Sequence, residues 1–243
     1  MLTAWLFYPR TNEQQRRFAM RRWSRKLLAI LGVTVRILNP PPSLPARCMI
    51  VSNHISWADI FALTSSYPAI FVAKSEIRRW PLIGALCARA GTLFIERGRR
   101  SSAKHIATTL SAAIRAGTLV SIYPEGTTTD GWRIERFHAA LFQPAIDADA
   151  VIQPVALRYR DPADRYCSAP NYVGDTSFIA SLWEITKAPR IVAELNFLSL
   201  IETTAQDRRG LARAAQSAIA GALGVPVPGT PPETADDLPG ESQ

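Results

Sequence analysis

The sequence predicts an α/β domain: a central mixed sheet flanked by helices, preceded by a basic amphipathic helical unit. Apolar runs of strand length recur at 47–52, 69–73, 92–95, 119–123, 151–159 and 191–198. Helical periodicity fills the intervals, most clearly at 101–116 and 205–223, and this alternation builds a sheet covered by helices. Several connections are short, which makes a mixed sheet the expectation.

Residues 1–38 read as the N-terminal helical unit. Leu2, Trp5, Leu6, Phe7 and Tyr8 form an apolar tip that Pro9 closes. From Asn12 onward Phe18, Trp23, Leu27, Leu28, Ile30 and Leu31 are interleaved with Arg16, Arg17, Arg21, Arg22, Arg25 and Lys26. A basic helix with aromatic and aliphatic residues on its other face suits a membrane interface carrying anionic headgroups. A helix packed on the domain with a solvated basic face is the alternative. Residues 39–46, with Pro40, Pro41, Pro42 and Pro45, read as a stiff linker to an α/β body at 47–224.

Within the body, Ala103, Ile106, Ala107, Leu110, Ala113 and Ile114 form one helical face that Gly117 terminates. Leu211, Ala215, Ile219 and Leu223 form another. Pro154 interrupts a strand-like run and predicts an edge or a bulge, because proline cannot donate to the ladder. Residues 225–243, rich in Pro, Asp and Glu, read as a disordered acidic tail without chemistry.

A chain of 243 residues, 47% apolar and 20% charged, is long enough for one substantial core. Its net charge of +8 is concentrated at one end. Residues 1–40 hold eight basic side chains against Glu13 alone, which is +7 of the total. An anionic partner is implied, and a lipid surface fits better than nucleic acid: no basic stripe continues through the body and no nucleic-acid-binding motif is present. Cys48, Cys87 and Cys167 are odd in number and widely spaced, as in reduced, cytosol-facing proteins. No run of about 20 uncharged apolar residues predicts a spanning helix, and the first residues lack the pattern of a cleaved signal peptide.

The chemistry-bearing stretches lie where apolar strands end, the place α/β sheets put their sites. After Val51 and Ser52 come Asn53, His54 and, five positions on, Asp59. Histidine moves protons near neutral pH, and a carboxylate on one ring nitrogen fixes its tautomer. Five residues of helix would leave the two side chains about 140° apart, so they meet only if His54 precedes a helix and Asp59 reaches back from it. Asn53 and Ser56 are expected to cap that helix. Arg97, in Gly91–Arg100, offers a fork suited to phosphate, or belongs to a basic surface loop. Glu125, Gly126 and Thr127, with Thr128 and Thr129, form a polar turn after the run ending at Tyr123.

Together these blocks resemble the four ordered motifs of the glycerolipid acyltransferases, over roughly residues 48–157: His54-x4-Asp59, Gly91-x-x-Phe94-Ile95-x-Arg97, Tyr123-Pro124-Glu125-Gly126-Thr127 and Gln153-Pro154-Val155-Ala156. The pattern is most similar to the bacterial 1-acylglycerol-3-phosphate acyltransferases, and Lys74 with Trp80-Pro81 and Gly84 looks like that family too. The resemblance implies acyl transfer from acyl-CoA or acyl-carrier protein to the hydroxyl of a lysophospholipid, without a metal or organic cofactor, at the cytoplasmic face of the inner membrane. It implies His54 as general base and Asp59 as its orienting partner. Arg97 and Lys74 are assigned to the acceptor's phosphate, and Glu125, Gly126 and Thr127 to the pocket, where Glu125 would hold Arg97 or accept from the glycerol. One departure is present: Thr128 stands where the family usually has arginine. Arg99, Arg100, Lys74 and Lys104 are candidate substitutes, and a lyso-ornithine lipid becomes an alternative acceptor. A non-catalytic lipid-binding protein of the same fold is the other alternative.

Overall fold

The computed structural model describes residues 12–75, 92–95 and 100–227, with Arg78 and Gly84. The apolar tip at Leu2–Tyr8, Arg97, Arg99, Cys87 and the acidic tail beyond Val227 lie outside the described residues. Helix α1 (Glu13–Ile30) starts at a reciprocal cap. Asn12 Oδ1 accepts from Gln15 N–H at 2.8 Å, and Gln15 Oε1 accepts from Asn12 N–H at 3.1 Å. Gly32, at φ +70°, ends the helical path.

The chain then enters the sheet, which corrects the helical reading of residues 33–38. Strand β1 (Val33–Leu38) alternates Val33, Val35 and Ile37 with Thr34, Arg36 and Leu38, and β-branched residues at a spacing of two favour an extended chain. The proline-rich segment therefore joins two strands of one sheet rather than a separate unit to a body. Next come β2 (Cys48–Ser52), α2 (Asp59–Thr64), β3 (Ile70–Lys74), β4 (Leu93–Ile95), α3 (Arg100–Arg115) and β5 (Val120–Ile122). A 3-10 turn (Ala139–Phe142) and α4 (Gln143–Asp147) lead to β6 (Val151–Arg160), α5 (Phe178–Lys187), β7 (Ile191–Phe197) and α6 (Arg208–Leu223).

The sheet order is β1-β7-β6-β2-β5-β3-β4. Every neighbouring pair is parallel except β6 and β7, so the expected mixed sheet is present. All five residues of β2 are buried, as both faces of an interior parallel strand require. One core, with Leu28, Phe61, Phe71, Tyr159 and Ile185, lies under α1, α2 and α5. The other, with Met49, Leu110, Ile114, Ile152, Leu211 and Ile219, lies under α3, α4 and α6.

Pro154 sits in the interior strand β6, not at an edge. The bulge is what accommodates it. Val155 pairs with Phe197 and Ile152 with Ile201, so three residues of the segment that follows β7 face two of β6. Leu198 N–H donates to the Pro154 carbonyl at 3.0 Å, and Gln153 Nε2 donates to the Leu198 carbonyl at 2.6 Å. The donor that proline lacks falls where the partner strand has already left the sheet.

Candidate active site

The parallel strands β2, β3, β4, β5 and β6 all end at one edge, and the polar residues gather there. His54 Nδ1 lies 2.8 Å from Asp59 Oδ2. His54 stands in the loop after β2, and Asp59 is the first residue of α2, reaching back over the loop. Asp59 is fully buried, and its Oδ2 also accepts from the N–H groups of Ile55 and Ser56 at 2.7 and 2.9 Å. An ionised carboxylate only accepts, so a neutral imidazole in this contact carries its proton on Nδ1 and leaves Nε2 free to accept. The His54 side chain is 18% exposed, and Nε2 has no hydrogen-bond partner among the described residues.

The expected side-chain caps are not what starts α2: Ala58 is the cap residue and gives no side-chain bond. Ser56 Oγ accepts from Ala58 N–H at 3.2 Å. Asn53 faces β6 instead. It donates to the Leu157 carbonyl at 2.9 Å and accepts from Leu157 N–H at 2.8 Å. Its side chain takes over the ladder where the backbone of β2 turns away.

Glu125 is buried and holds the same loop. Oε1 accepts from His54 N–H at 2.7 Å and Oε2 from Glu135 N–H at 2.8 Å. Burial pushes its carboxyl up to about 7, the nearby charges of Asp59 and Glu135 add to this, and the two N–H donors oppose it. Both oxygens thus serve backbone groups, and the expected contact with Arg97 lies outside the described residues. The His54 carbonyl accepts from Thr129 N–H at 2.8 Å, and the imidazole stacks on Tyr123 with ring centres 4.2 Å apart. Gly131 lets the next loop close over the site: at φ +82°, an added Cβ would lie 3.0 Å from Ile55 Cδ1.

Gly126, half-buried, and Thr127, exposed, follow Glu125 at this edge. Thr128 Oγ1 donates to the Tyr172 carbonyl, so the side chain at the position of the family's arginine is turned to protein. Lys74 ends β3, where it pairs with Ile95 of β4, which places its backbone at the same edge. The structure therefore brings His54, Asp59, Glu125, Gly126 and Thr127 together. Tyr159 was missed at the level of sequence: its hydroxyl donates to Asp59 Oδ1 at 2.6 Å. The available signal was a tyrosine inside a buried strand, whose hydroxyl must find a partner.

Fold and site together describe an α/β domain with a bonded His54–Asp59 pair at the carboxyl edge of its sheet. The chain belongs to the acyltransferase family: the family described as Acyltransferase matches residues 33–158. It is 33% identical over 216 residues to the 1-acyl-sn-glycerol-3-phosphate acyltransferase of Neisseria meningitidis serogroup B, covering 86% of this chain and 84% of that one. It is 37% identical over 201 residues to the lyso-ornithine lipid O-acyltransferase of Pseudomonas aeruginosa, covering 83% of this chain and 76% of that one. The crystal structure of the 1-acyl-sn-glycerophosphate acyltransferase PlsC from Thermotoga maritima has a similar fold, with a TM-score of 0.66 at 15% identity over 92% of this chain and 85% of that one.

Proposed function

We propose that this acyltransferase moves a fatty acyl group from acyl-CoA or acyl-carrier protein to the sn-2 hydroxyl of a 1-acylglycerol 3-phosphate, forming phosphatidic acid at the cytoplasmic face of the inner membrane. The carrying observation is the His54–Asp59 contact of 2.8 Å. Nε2 takes the hydroxyl proton as the alcohol oxygen bonds to the thioester carbonyl carbon. The C–S bond then breaks, and the departing thiolate receives that proton from the imidazolium. Asp59 supports the charged ring between the two transfers. Arg97 and Lys74 bind the acceptor's phosphate in this reading.

A second reading, transfer to a lyso-ornithine lipid, is favoured by Thr128. Its hydroxyl is bonded to the Tyr172 carbonyl and gives a phosphate no cation. Purified protein, assayed with each lysolipid in vesicles, separates the readings. Turnover of 1-acylglycerol 3-phosphate is expected. Turnover of lyso-ornithine lipid alone transfers the assignment to the second acceptor, and turnover of neither sinks both.

No helix among the described residues is long and apolar enough to cross a membrane. The lipid contact we propose is peripheral, through α1. Phe18 and Ile30 are 66% and 79% exposed, and the exposed Arg22 and Lys26 have no bonded partner among the described residues. Arg21 and Arg25 instead donate to the Ser66 and Ser65 carbonyls and tie the helix to the domain. Replacing Arg22 and Lys26 by Glu should therefore weaken binding to anionic vesicles, by about 1 kcal/mol or more per position. Unchanged co-sedimentation would rule out this surface.

A further inference from the structure

The two oxygens of Asp59 are held unequally. Oδ2 receives His54 Nδ1 and the N–H groups of Ile55 and Ser56. The sole donor to Oδ1 among the described residues is the Tyr159 hydroxyl, at 2.6 Å. Asp59 is 0% exposed and Tyr159 1%, so no solvent replaces that donor. Backbone groups fix where Oδ2 sits, and the bond at Oδ1 fixes the plane of the carboxylate about it. The carboxylate plane in turn sets the direction along which Nδ1 is held, and hence where Nε2 points.

Tyr159 is well placed to hold this plane because it stands on a strand. It pairs with Ala193 of β7. Two residues earlier on the same strand, Leu157 is bonded twice to the Asn53 side chain, in the loop that carries His54. Strand and loop are thus joined at two points. Burial and the Asp59 charge hold the Tyr159 hydroxyl well above the usual phenol range, so it stays a donor. Asp59, Tyr123 and the Ser56 hydroxyl are the polar groups around it.

We propose that Tyr159 is a positioning residue of the acyl transfer: its hydroxyl locks the Asp59 carboxylate so that the His54 ring keeps Nε2 toward the substrate hydroxyl. This rests on the reading of His54 as the base and adds a third member to the pair from 100 residues further along the chain.

Tyr159→Phe keeps the buried ring and removes the donor. We expect kcat to fall about ten- to a hundredfold with KM for the lysolipid unchanged, the size of one hydrogen bond to a charged group lost at the transition state. In a His54→Ala background the same substitution should cost nothing further, because its effect runs through the imidazole. A kcat within about twofold of the parent, or an equal loss in both backgrounds, would overturn the proposal. Full activity in His54→Ala would remove the base assignment itself, which is a separate result. One measurement needs no turnover. The 15N resonances of the His54 imidazole, read beside those of His105 and His138 alone, should move in Tyr159→Phe, and unmoved resonances overturn the proposal.

Discussion

His54→Ala is expected to lower kcat about 10²- to 10⁴-fold, the range for losing a positioned general base, with a much smaller change in KM for the lysolipid. The expectation follows from the atom left available: Nδ1 is taken by Asp59, and Nε2 is the one ring nitrogen able to accept. Asp59→Asn should cost a comparable amount. An amide that keeps its oxygen in the place of Oδ2 turns its NH₂ to the Tyr159 hydroxyl and brings no negative charge to support the imidazolium. The check is a single-turnover assay with wild-type and variant proteins of equal thermal stability. A variant that keeps wild-type kcat would remove His54 from the chemistry.

Glu125→Gln should change how stability depends on pH. Burial raises the Glu125 carboxyl from its ordinary 4.5 to about 7. Between those values the folded chain keeps a proton that the unfolded chain has released. The contribution of this group is therefore fully present below pH 4.5 and lost as pH rises through about 7. The corresponding difference is about 3 kcal/mol. Urea unfolding of wild type and Glu125→Gln at pH 4.5 and 8 reads it, with wild type losing ground to the variant as pH rises. A difference between the two proteins that does not change with pH would contradict the expectation. Activity should move the other way. The carboxylate accepts from His54 N–H on one oxygen and Glu135 N–H on the other, whereas the amide of Gln has one accepting oxygen, so the variant should lose kcat about tenfold or more through a displaced loop. The carboxylate that weakens the fold above pH 7 is the one that holds the imidazole loop in place.

The strands were legible because each is a local signal. The runs at 47–52, 151–159 and 191–198 appear as Cys48–Ser52, Val151–Arg160 and Ile191–Phe197, and the two helical faces appear as Arg100–Arg115 and Arg208–Leu223. Val33–Leu38 was misread because the apolar run from Leu27 reaches Val35 without a charge. The break at Gly32 and the alternation after it were the signals against a continuous helix. The caps assigned to Asn53 and Ser56 failed for a different reason. Local propensity says that such residues seek backbone groups, and for Asn53 the nearest suitable ones were on β6, brought alongside by β2–β6 pairing.

By itself the sequence determined the alternating α/β order, the location of polar residues at strand ends and the pairing of one histidine with one aspartate. All of these are written in spacings of a few residues, where periodicity and chain geometry leave few choices. Tertiary structure alone decided what surrounds the pair. Glu125 meets His54 because β5 lies beside β2, and Tyr159 meets Asp59 because β6 lies on its other side. Strand order is settled by the packing of whole faces against two cores, and no local pattern in the chain carries it. The opening motif therefore names the His54–Asp59 dyad, while the fold supplies the contacts from β5 and β6 that hold it.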